Sequence, residues 1–411
     1  MGWSDDWPAE RHDVRRSGIS QESLDLPLVE SWRVQTAQPA PAWPPAHFIL
    51  LDRMDFDYAP QPVVADGIVC FGSTTDDTLR AMDLQTGKLR WRFVTGGPIR
   101  LAPQIYQHRV YAGADDGCVY CIEAATGELV WKFDATPHDE QFIGNGRMIS
   151  RWPIRSGVLA ADDCVYFLAG MWATEGIFAY AVDARTGREI WCNDTCGYAG
   201  VDYNHLLTLE NAGELRHGVH DGDFGVYGLT PQGALAATQD VLLVPNGYNS
   251  PAGLDRKTGR LLFAEPQAGT GGSWVMTDRE AYYSVYQHRN RRILITKRDA
   301  HTGERLAIQF HGVHNVTAVP NNVPHLHHET GKTSNLIVDG RVISKNAYAM
   351  VLAGTTLVLG HDGYVTALDL ATDAELWRAD VDGKAYGIAV ADGRIVATTD
   401  RDTVDCFSAA T

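Results

Sequence analysis

The chain has 411 residues, 45% hydrophobic and 21% charged, enough apolar mass for a large core. Its formal net charge of −16 at pH 7 excludes a general nucleic-acid or anionic-membrane binder, which needs a basic face. No apolar run reaches the roughly 18 residues of a membrane helix, and no apolar segment follows the N-terminal residues or Arg15-Arg16 as an export signal requires. Read as complete, the chain is expected in the cytoplasm; with a leader removed, it belongs in the periplasm or outside the cell. The cysteine count of seven is odd and points to free thiols.

In chain order, short alternating apolar stretches recur between Asp-Gly and Thr-Gly turns, the mark of hairpin-linked strands. The first is Leu28 to Val34, carrying Trp32. Units of repeated layout then span 60–93, 101–133, 155–191, 226–263, 270–309, 346–379 and 384–409. Most contain one phrase: an acid, two residues, Thr-Gly, three residues, an aromatic. It reads Asp83, Thr86-Gly87, Trp91; then Glu123, Thr126-Gly127, Trp131; then Asp183, Thr186-Gly187, Trp191. Looser copies hold Asp255 with Phe263, Asp299 with Ala307, and Asp369 with Asp373 in place of glycine and Trp377.

Three alternating strands and a Trp-bearing fourth make one four-stranded antiparallel blade, and repeated blades make a propeller. The fold predicted is all-β: a closed β-propeller forming one domain over 1–411, with seven clear blades. In this scheme the acid accepts bonds from its turn, the glycine gives backbone freedom, and the tryptophan wedges between blades. The last unit lacks an outer strand, so Leu28 to Val34 is expected to pair with it and close the ring. Residues 310–345 are one blade long without the phrase, which leaves an eighth, degenerate blade open.

The phrase resembles the repeats of quinoprotein (pyrroloquinoline-quinone-like) propellers, among them quinoprotein alcohol dehydrogenases and outer-membrane assembly lipoproteins. The stretches Gly96 to Pro103 and Gly144 to Pro153 resemble those of bacterial propellers known only by this repeat. The resemblance implies the fold firmly and the function little. Its dehydrogenases carry an adjacent cysteine pair and a calcium site of Glu, Asn and Asp. No two cysteines are adjacent here, no equivalent calcium set can be assigned, and no export signal is present. On these grounds pyrroloquinoline quinone is not expected.

A propeller site lies at a channel mouth, on loops entering the innermost strands or joining the second and third. Those loops offer Arg100, Arg151, Trp152, Arg155, Trp172, Trp274, Asn346, Tyr348, Lys384 and Tyr386 as a cradle for a polar or anionic small molecule. Two long interruptions, 192–225 and 310–345, hold eight of the 15 histidines. His205, His217, His220, His311 and His314 are the candidate acid/base groups, and a divalent metal is a further use for such side chains. The leading expectation is a cytoplasmic lyase, isomerase or hydrolase acting on a small molecule. The alternatives are a non-catalytic protein-interaction scaffold and a quinone-dependent dehydrogenase. Cys192 and Cys196 are close enough in sequence for a disulfide or metal, whereas Cys118 and Cys121 are expected on opposite faces of one strand.

Overall fold

The computed structural model describes residues 6–43, 56–144, 146–198, 228–247, 249–264, 273–287, 293–310, 316–317, 335–338, 341–345 and 347–410. It is all-β with two short 3-10 turns among the described residues. Consecutive four-stranded antiparallel sheets cover 63–94, 104–134, 159–193, 236–263 and 275–310, each with its strands in sequence order. Two further four-stranded runs are fused into one larger sheet. The 17-residue strand Glu375–Ala391 pairs with Asp362–Asp369 in one run and with Arg394–Thr399 in the next.

Leu28–Gln35 pairs antiparallel with Thr403–Ala409 and sets Trp32 opposite Cys406, as the missing outer strand requires. Residues 316–345 form three strands, but Val316–Thr317 runs parallel to Asn335–Val338, so this sheet departs from the repeated meander. Cys118 and Cys121 do fall in different core clusters, on opposite faces of their strand. All seven cysteines are free, so Cys192 and Cys196 form no disulfide.

The phrase explains how one sheet grips the next. Asp83 Oδ1 accepts bonds from the Thr86 amide (2.8 Å) and hydroxyl (2.7 Å), which folds the turn. Asp183, Asp255, Asp299 and Asp369 repeat this with their own threonines. Each tryptophan then leans onto the following sheet. The Nε1 of Trp32, Trp91, Trp131 and Trp191 donates to the carbonyls of Leu84, Ala124, Ala184 and Arg256, each one residue past the phrase's acid.

Glycine is needed there twice over. At Gly127 φ is +77°, and a Cβ would come within 2.6 Å of Trp91. The one copy with Asp373 in place of glycine follows the interruption 310–345, which contains no tryptophan to lie over it.

An axial segment accompanies the sheets. Trp7 exchanges backbone bonds with Val64 (2.6 and 2.8 Å), and Ile105 donates to Pro8 (2.8 Å). Ala237 donates to Val14 (2.8 Å) and Thr277 to Arg15 (3.1 Å), while Ile19–Ser20 pairs parallel with Leu352 and Ala353. One stretch of 14 residues therefore touches the first strands of five sheets, the strands expected innermost in a propeller. Arg16 anchors it, its side chain 3% exposed and donating to the Leu235 carbonyl at 2.6 Å.

Candidate functional site

The loops leading into these first strands make up the candidate mouth. Four residues ahead of three successive inner strands stand Arg100, Arg155 and Gln232. Arg100 donates to Asp57 Oδ2 at 2.7 Å and also bonds Asp115; Arg155 grips the two Asp115 oxygens at 3.2 and 3.1 Å. All four side chains are at most 2% exposed.

Asp115 sits in the loop joining the second and third strands of its sheet. Asp57 comes from outside the repeat, and with residues 38–43 it forms a strap against Arg100. Ala40 of that strap accepts from Arg100 at 3.1 Å, and the Ala42 amide donates to Asp57 at 2.8 Å. The Arg155 guanidinium lies 5.5 Å from the Trp43 ring, which meets Trp172 edge-on at 5.9 Å.

The electrostatics follow from this packing. Burial pushes the Asp115 carboxyl up, but Arg155 and Arg100 outweigh it and hold it below the usual carboxylate range. At Asp57 burial wins over Arg100, the Ala42 amide and the more distant Arg155, and the carboxyl is raised. Two guanidinium groups thus face two carboxyl groups, of which Asp115 is the one held charged. Gln232 is 1% exposed, and among the described residues neither atom of its amide has a hydrogen-bond partner.

The remaining expected residues fall into separate groups. Tyr348, Tyr386 and Lys384 do come together: the two rings are 5.0 Å apart, Lys384 Nζ is 5.4 Å from Tyr348, and Tyr58 stacks on Tyr386 at 5.6 Å. Arg151 lies over Trp152 at 5.6 Å and is paired with Glu140 at 2.7 Å and Glu175 at 3.6 Å. Trp274 meets Arg11 of the axial segment at 5.7 Å. His205, His217, His220, His311, His314 and Asn346 lie outside the described residues.

Asp57, Asp115, Trp43 and Gln232 were missed by sequence reasoning. The signal for Gln232 was its spacing, the same as that of Arg100 and Arg155 from their strands. For Asp115 it was the doubled acid at 115–116, whereas nothing local marks Asp57.

Comparison with solved structures sets these sheets among quinoprotein propellers. A quinohemoprotein alcohol dehydrogenase from Pseudomonas putida HK5 superposes with a TM-score of 0.67 over 98% of this chain and 80% of its own, at 13% identity. The quinohemoprotein alcohol dehydrogenase of Comamonas testosteroni gives 0.62 over 99% and 81%, at 14% identity. At such identities the likeness is one of fold.

The family model described as outer membrane protein assembly factor BamB matches residues 30–195 and 361–411, and the chain belongs to that family of pyrroloquinoline-quinone-like repeats. Curated relatives are dehydrogenase subunits of quinone alcohol dehydrogenases. That of Gluconacetobacter polyoxogenes is 26% identical over 141 residues, 32% of this chain and 19% of its own length. That of Acetobacter aceti is 28% identical over 143 residues, 32% and 18%. The chain therefore matches about a fifth of those relatives.

These findings overturn the expectation of a histidine-based lyase, isomerase or hydrolase. The curated relatives are enzymes, but quinone-linked dehydrogenases, so they also weigh against setting the quinone aside.

The residues themselves were tested against such a cofactor, a flat and multiply charged anion. The mouth offers flat rings at Trp43 and Trp172 and an orphaned amide at Gln232. Its guanidinium groups, however, are already engaged by Asp57 and Asp115. No three metal-capable side chains gather among the described residues. Among the described residues, then, rings are present at the mouth while its cations are engaged and no metal-ligand set stands beside them.

Proposed function

We propose that this chain is a protein-binding propeller of the assembly-factor kind, a single domain of eight blades closed around the axial segment. One observation carries the reading: Asp57, Arg100, Asp115 and Arg155 are buried and paired with one another, so the two arginines expected to hold an anion are already engaged. Such a network welds strap and blades together and uses up the charges a ligand needs. Closure is supported by the pairing of 28–35 with 403–409 and by the five inner strands that share one axial segment. In this reading the sheet at 316–345 is the degenerate eighth blade. The family's outer-membrane description supports an exported location, the alternative with a removed leader.

The curated relatives favour a second reading, a quinone-dependent dehydrogenase. One titration separates the two. Purified chain is mixed with pyrroloquinoline quinone and Ca²⁺, binding is followed by tryptophan quenching, and a primary alcohol with an artificial electron acceptor is then added. The protein-binding reading expects no saturable quenching and no acceptor reduction. Stoichiometric binding followed by alcohol-dependent reduction overturns it and establishes the second reading.

A further inference from the structure

Between the sheets at 104–134 and 159–193 the chain makes a two-stranded hairpin outside the repeat, Gln141–Gly144 paired antiparallel with Arg147–Ser150. The second strand lies against the body: Ile149 and Ser150 are buried, and the Ser150 amide donates to the Asp115 carbonyl at 2.7 Å. The first strand faces outward, and among the described residues its far edge pairs with no other strand. Ile143 and Met148 are directly opposed, so they share one face, and they are 73% and 55% exposed. Phe142, on the other face opposite the buried Ile149, keeps a ring 37% exposed.

Edges of this kind are normally blunted with charge, proline or a bulge, because unpaired strand groups invite another strand. The blades obey that rule. Their outer strands carry Arg90 and Arg92, Lys132 and Asp134, or Glu189 beside the buried tryptophan. The hairpin strand, Gln-Phe-Ile-Gly, carries none of these devices.

The surrounding charge selects the occupant. Nearby cations are already paired: Arg147 with Asp77, Arg151 with Glu140 and Glu175. Asp134 and Asp139 stand exposed, and the whole chain carries −16.

We propose that the outer edge of this hairpin receives an extended segment of a partner protein by strand addition. The segment has apolar residues that cover Ile143 and basic flanks that meet the acids ahead of Gln141. This rests on the protein-binding reading and names where and what it binds. A second copy of the chain suits the edge less, since pairing like with like would bring two acidic borders together.

The test uses the full chain and a fluorescein-labelled peptide of alternating valine and threonine with two lysines at each end, read by anisotropy. Saturable binding is expected. It should weaken at least tenfold for Ile143→Ser/Met148→Ser, for a peptide with central proline, and for one with glutamates replacing the lysines. Unchanged circular dichroism shows that the variant is folded. Equal binding by wild type and variant, no binding by wild type, or dimerisation through the hairpin in light scattering each overturns the proposal. Those outcomes leave the protein-binding reading standing, because only a positive quinone titration removes it.

Discussion

Replacing Gly127 with alanine isolates the contact that joins one sheet to the next. Two costs arise. The backbone at φ +77° disfavours a side chain by about 1–2 kcal/mol. The new Cβ would also lie 2.6 Å from Trp91 Cγ and 2.8 Å from Trp91 Cβ, atoms too close to the main chain to swing aside. Overpacking of that sort costs about 1–3 kcal/mol more. Gly393 supplies the control: φ is +66°, yet a Cβ there meets nothing within 4 Å. Gly393→Ala should therefore lose about 1–2 kcal/mol and Gly127→Ala about 2–5 kcal/mol by the same two terms. Urea unfolding gives both values, provided the m-values agree. Adding Trp91→Ala to Gly127→Ala should be less damaging than the two losses summed, since the ring is then gone. Equal losses for the two glycines would refute the docking argument.

Other consequences can be measured on the same material. Asp115→Asn leaves two buried guanidinium groups short of a partner and should cost about 3–5 kcal/mol at neutral pH. Because the Asp115 carboxyl is held low, its contribution is present above the ordinary carboxylate range and is lost as pH falls through its own value. The wild type should therefore lose stability below about pH 4, and the asparagine variant should show a shallower acid limb in urea titrations across pH. Gln232→Leu removes an amide with no bonding partner and should leave stability unchanged or raise it by about 1 kcal/mol. A loss above that size in urea unfolding would mean the amide is satisfied.

The repeat was legible because its chemistry is local. Asp83 and Thr86 are close in sequence, and the indole that needs Gly127 follows the same phrase one sheet earlier. Trp32 could be assigned from pattern alone, since a blade short of one strand has few sequences that can complete it. The mouth was half legible. Spacing pointed to Arg100 and Arg155, but their charges read as available because the acid that engages Arg100 from the strap, Asp57, lies 43 positions away. The axial segment gave no signal at all. It makes mostly main-chain bonds to strand ends, and such bonds leave no hydrophobic period in the sequence.

That axial segment bears on how the molecule is made. Residues 7–20 are synthesised well before Leu352 and Ala353, with which they pair, and Leu28–Gln35 must wait for Thr403–Ala409. Intermediate sheets can form early from local hairpins, while residues 7–35 stay unhoused until those later strands exist. Contacts so remote in sequence slow the last step and leave strand edges open in the meantime. Chaperone dependence during synthesis should therefore centre on residues 7–35 and ease only when the strand at 403–409 is released.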